Sequence, residues 1–120
     1  MPANIAAGAL GRPTSEFLAA VDVCADEWRR DPDNAWVAGM VAAGWWVSGF
    51  TTHPPMRPDA EAAGTRVQIA QEMMLAGTVM HGERSQATAW ARGVYRMLRY
   101  AIGYTDDLPL TPPRRVPAVS

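Results

Sequence analysis

Two stretches of this chain, 54 positions apart, spell nearly the same helix. "AWVAGMVAAGWWVSGFTTHPP" occupies residues 35–55 and "AWARGVYRMLRYAIGYTDDLP" residues 89–109. Ala35, Trp36, Gly39, Gly49, Thr51 and Pro55 recur as Ala89, Trp90, Gly93, Gly103, Thr105 and Pro109. Met40, Trp46 and Phe50 are answered by Val94, Tyr100 and Tyr104. In each copy a tryptophan, a glycine, a small residue or methionine, and two aromatics follow one another at steps of three and four, so they share one helix face. Glycine inside a helix costs about 1 kcal/mol against alanine. That cost is recovered where a second backbone comes close, so the pattern predicts two notched helices packed on each other. The later glycine, followed by an aromatic and then a proline, predicts a left-handed cap closing each helix.

Around this pair the chain supplies two more helices. Residues 14–30 carry Phe17, Leu18, Val21, Cys24 and Trp28 on one stripe, with Pro13 at the start and Glu16 in the first turn. "DPDN" stops that helix and offers caps for a second over 34–47. A proline-stiffened connector, "TTHPPMRP", precedes a third over 59–81, with Val67, Ala70, Met73, Met74, Gly77 and Met80 as its expected apolar face. The fourth spans 85–102, capped by Ser85 and Gly103. No alternating strand pattern is present. The expected fold class is all-α: a four-helix bundle-like domain of two pseudo-repeated hairpins over residues 14–104. A flexible arm at 1–13 is expected to precede it, and an extended or disordered proline-rich tail at 105–120 to follow.

Composition narrows function by exclusion. All 11 basic residues are arginine, so chemistry that needs a lysine amine is absent. The net charge of −1 gives no overall pull toward nucleic acid or acidic lipid. Cys24 is the single cysteine and is expected in the core. The N-terminal residues lack the basic and apolar regions of a secretory signal, and a cytoplasmic location is the expectation. Arginine and alanine usage suggests a GC-rich bacterium or its phage. His53 and His81 share no helix face and Glu-x-x-His does not occur, so no metal and no cofactor is expected. Asp22, Asp26 and Glu72 are the acids available for a metal-dependent reaction, too few and too scattered for catalysis to be the reading. "PLTPPR" at 109–114 has the form of a proline-rich ligand for a partner.

Three surfaces remain as candidates. Where the fourth helix has Arg92, Arg96 and Arg99, the second has Ala38, Ala42 and Trp45. The latter three form a candidate partner or homodimer seam, since small residues permit close approach. The three arginines are the alternative, a face for nucleic acid. Trp36, Trp46, Trp90 and Tyr100 are candidates for an aromatic pocket where the two helices cross. The uncharged second helix is barely long enough to span a bilayer, and its alanines and glycines are only weakly lipophilic, so a membrane is not the expected partner. The function expected from the sequence is that of a small non-enzymatic protein acting by protein contact or self-association, with nucleic-acid binding as the alternative.

Overall fold

Gly39 and Gly93 lie at the crossing of two helices and define it. In the computed structural model, which describes residues 3–111, the elements are α1 (Thr14–Arg30), α2 (Ala35–Val47), α3 (Arg66–Val79) and α4 (Gln86–Ala101), with no strand among the described residues. A Cβ on Gly39 would overlap the carbonyl of Trp90, and one on Gly93 would overlap the carbonyl of Trp36. Each glycine therefore receives the backbone beside the other helix's tryptophan, and the contact is reciprocal. α2 and α4 form the most extensive helix pair, α1 packs on α2, and α3 packs on α4. The architecture is an all-α bundle of two hairpins joined through their second helices.

The ends of the central pair match as well. Gly49 and Gly103 adopt φ of 83° and 82°. The N–H groups of Gly49 and Phe50 donate to the carbonyls of Trp46 and Trp45 (3.1 and 2.9 Å), and those of Gly103 and Tyr104 to Tyr100 and Arg99 (3.2 and 3.0 Å). Both helices thus close with the same paired-bond cap. At their starts, the Asn34 side chain accepts from Trp36 N–H and Val37 N–H, and Ser85 forms a reciprocal capping box with Thr88.

The opening segment is packed, not a loose arm. Asn4 N–H donates to Ser48 O (2.8 Å) and Gly11 N–H to Ala101 O (2.9 Å), so the segment runs across the C-terminal ends of α2 and α4, and Ala9 is fully buried. Arg12 fastens it. Its side chain is almost wholly buried, lies 3.6 Å from the Tyr100 ring centre, donates to Tyr100 O (2.6 Å) and Thr105 O (2.5 Å), and pairs with Glu16 (2.9 Å). Past α4, residues 105–110 are irregular but held: Arg96 donates to the carbonyls of Pro109 (2.7 Å) and Leu108 (3.0 Å). The rest of the expected tail, 112–120, lies outside the described residues, and with it half of the 109–114 motif.

The third helix departs from expectation in length and in face. It begins at Arg66, with Thr65 as its cap, because residues 59–65 are drawn across the end of α2. There the Trp46 indole N–H donates to Ala62 O (2.8 Å) and Ala62 N–H donates to Thr52 O (2.8 Å). The buried face is Ile69, Glu72 and Ala76, while Val67 and Met74 point outward.

The crossing gives a sharp stability contrast. Gly39→Ala and Gly93→Ala should each lower stability by about 1–3 kcal/mol or more, since backbone must move to admit the methyl. Gly77→Ala on α3, where a Cβ would meet the Tyr95 ring at an ordinary 3.6 Å, should raise it by about 0.5–1 kcal/mol. Urea unfolding of the three variants tests the assignment.

Candidate functional site

The reciprocal crossing creates two grooves, one on each tryptophan. Trp90 lines one with Ala38, Ala35 and Ala87, and Trp36 lines the other with Arg92, Tyr95, Arg96 and Arg99. Trp36 and Trp90 correspond in the internal repeat, as do Arg92 and Ala38. The grooves correspond at these two positions and differ elsewhere: Pro32, Asp33 and Gln86 complete the Trp90 groove, whereas three arginines make the Trp36 groove cationic. The four expected pocket aromatics do not gather: Trp36 and Trp90 go to separate grooves, and Trp46 and Tyr100 are fully buried. The reciprocal crossing sets each tryptophan's backbone against the other helix's glycine, and the two side chains line different grooves. Trp90 is also tied to the connector, its indole N–H donating to Pro55 O (3.1 Å).

The cationic groove has a volume of about 370 Å³. Arg92, Arg96 and Arg99 reach it from successive turns of α4, and His81 reaches it from just past the end of α3. Thr105 and Asp107 join from the segment after α4. Arg99 lies 5.6 Å from the Tyr95 ring centre, within cation–π range. Among the described residues neither Arg92 nor Arg99 has a carboxylate within 4 Å. Arg96 is committed to the carbonyls of residues 108 and 109. The three arginines thus border a cleft flanked by neighbouring segments, with Arg92 and Arg96 exposed and Arg99 half-buried.

The predicted seam is partly occupied from within. Trp45 meets Trp28 of α1 edge to face, with centres 5.8 Å apart, and Ala38 and Ala42 are half-buried. Three exposed apolar residues share one helix face on α3: Val67 is 67% exposed, Met74 72% and Leu75 39%; Phe50, Tyr104 and Leu108 are also exposed, on the segments that follow α2 and α4. Met74 and Leu75 border a shallow depression with Arg57, Gln71 and Thr78. The residues were visible in the sequence, but the pattern turned Val67 and Met74 inward.

Glu72 is what reverses them. It is fully buried, accepts from Met56 N–H (2.7 Å) with one oxygen and from Arg57 Nε (2.7 Å) with the other, and Arg57 continues to Gln68 (2.8 Å). This pair pins the proline connector to α3. Asp22 and Asp26 are exposed on α1, and among the described residues no three of His, Cys, Asp and Glu converge in a way that could hold a metal. Among the described residues no helix is long and apolar enough to cross a membrane. Cys24 is sealed beside Met40, and burial pushes its thiol up to about 12. Burial likewise raises the Tyr100 hydroxyl, against the opposing pull of Arg12. No protein-family model, curated protein or solved structure matches the chain.

Two outcomes follow from these buried groups. Glu72→Ala should cost about 2–4 kcal/mol, somewhat under the value for breaking a fully buried pair because Arg57 reaches water, and Glu72→Gln should cost less. Cys24 has a folded pKa above its ordinary 9.0, so the folded state holds the proton longer than the unfolded chain. Its contribution is intact below pH 9 and is lost as pH climbs toward 12. Urea midpoints measured across that window should fall for the native chain and fall less for Cys24→Ala.

Proposed function

We propose that this protein acts without catalysis, by contact with a second copy of itself through the outward face of α3. The observation that carries this reading is the exposure of Val67, Met74 and Leu75 on a helix whose opposite face is already buried in the bundle. Burying a large apolar side chain contributes roughly 1.5–3 kcal/mol, so this face is left with association energy that intrachain packing does not use. An isologous contact needs only one such face, because each copy presents it to the other. The flanking Arg57, Gln71 and Thr78 form a polar border of the kind found around interface cores. Two residues whose chemistry would serve an enzyme, Cys24 and Glu72, are enclosed in the core, which favours a binding role over a catalytic one.

The contact is reversible. α3 has 14 residues, a length of about 21 Å, and one helix of that size offers less than the ~800 Å² per partner of a standard interface. Sedimentation velocity from low to high micromolar concentration should show the weight-average coefficient rising for the native chain. It should remain at the monomer value for the double variant Met74→Glu, Leu75→Glu. A native chain that stays monomeric throughout, or association that the double variant leaves intact, ends this reading.

A further inference from the structure

We propose that the arginine cleft between α4, the start of α2 and the end of α3 binds a nucleotide-class phosphate ester, its phosphate on Arg92 and Arg99 and its ring against Trp36 and Tyr95. The inference is independent of α3 self-association.

The first argument is internal comparison. The groove at Trp90 lies on the same helix crossing and has Ala38 where the other has Arg92. The crossing therefore does not require charge at the position of Arg92. Three guanidinium groups on one side of a chain with net charge −1 concentrate positive potential there, and only Arg96 of the three is used to hold the segment after α4.

The second argument is availability. Arg96 is spent on two backbone carbonyls, which fixes it in place. Arg92 and Arg99 have no carboxylate partner among the described residues. Guanidinium groups match a phosphate with paired N–H donors, and Arg92 and Arg99, two turns apart on one face of α4 (about 10.5 Å of rise), flank the space in which one phosphate would sit.

A volume of about 370 Å³ lies at the small end of small-molecule sites, suited to one nucleotide and not to a folded partner. Trp36 and Tyr95 give flat apolar surface for a ring. Asp107 adds the one carboxylate, which repels a bare anion but accepts from sugar hydroxyls, as acidic residues do toward ribose. The combination selects a phosphate ester with hydroxyls and a ring over inorganic phosphate.

Calorimetric titration of the full chain at low ionic strength, with adenosine 5′-monophosphate as probe, tests this. The mononucleotide should bind at least tenfold more tightly than adenosine or inorganic phosphate. Arg92→Gln with Arg99→Gln should weaken it at least tenfold, while Arg84→Gln, outside the cleft, should not. The double variant removes no hydrogen bond of the described fold, and an unchanged circular dichroism melt confirms that it folds. A 5′-phosphorylated oligonucleotide binding as well as the mononucleotide assigns the site to strand ends; weaker binding assigns it to free nucleotides. Absence of mononucleotide binding, binding that survives the double variant, or oligonucleotide affinity that grows with length irrespective of the 5′-phosphate would each overturn the proposal.

Discussion

The close approach of two backbones at Gly39 and Gly93 is the constraint on which the other contacts rest. A peptide group of α2 sits where a side chain of α4 would be, and the converse holds one step along. Only glycine at both positions permits that spacing, and the helix-propensity penalty of about 1 kcal/mol at each is offset by the packing it allows. Once α2 and α4 lie this close, neither can be covered all round by the other. α1 closes over α2, where Gly44 receives Val21, and α3 closes over α4. The opening segment then crosses the shared end of the pair, where Gly49 and Gly103 bring their caps against Asn4 and Gly11.

The parts of this arrangement that were legible from sequence are those written in local pattern. The first helix, the start and stop of the fourth, and the glycine caps all follow from side chains acting within a few residues of themselves. The third helix was not legible, and the reason is specific. Its buried stripe runs through Glu72, which a count of apolar residues places in water. The charge is tolerated inside because Arg57 and the Met56 N–H, fifteen and sixteen positions away, meet both of its oxygens. With that face inward, Val67 and Met74 turn outward although both are apolar.

A second kind of information was missing for the same reason. Trp46, Trp90, Arg12 and Arg96 all donate to backbone carbonyls far along the chain. Every residue carries a carbonyl, so the recipient leaves no trace in the sequence. These bonds nonetheless decide where the irregular segments go: residues 59–65 across α2, the proline connector against Trp90, and residues 105–110 along α4. Arg12 shows the effect most fully, since a residue read as part of a free arm joins that arm to the Tyr100 ring, to two carbonyls and to Glu16.

The likeness between the two halves also separates architecture from everything else. Features shared by α2 and α4, the notch, the cap and the paired tryptophans, are accounted for by the crossing itself. Features present in one half only need another cause. Trp45 finds it in Trp28, a contact within the chain. Of the arginines at the positions matching Ala38, Ala42 and Trp45, Arg96 holds two carbonyls and Arg99 lies over the Tyr95 ring, while Arg92 has no such contact among the described residues; the outward apolar residues of α3 are likewise uncovered. Arg92 and the outward residues of α3 sit on exposed surface. In a chain this small, where each exposed methionine or clustered guanidinium works against solubility or against its neighbours, such departures are where selection for binding has room to act without disturbing the crossing beneath.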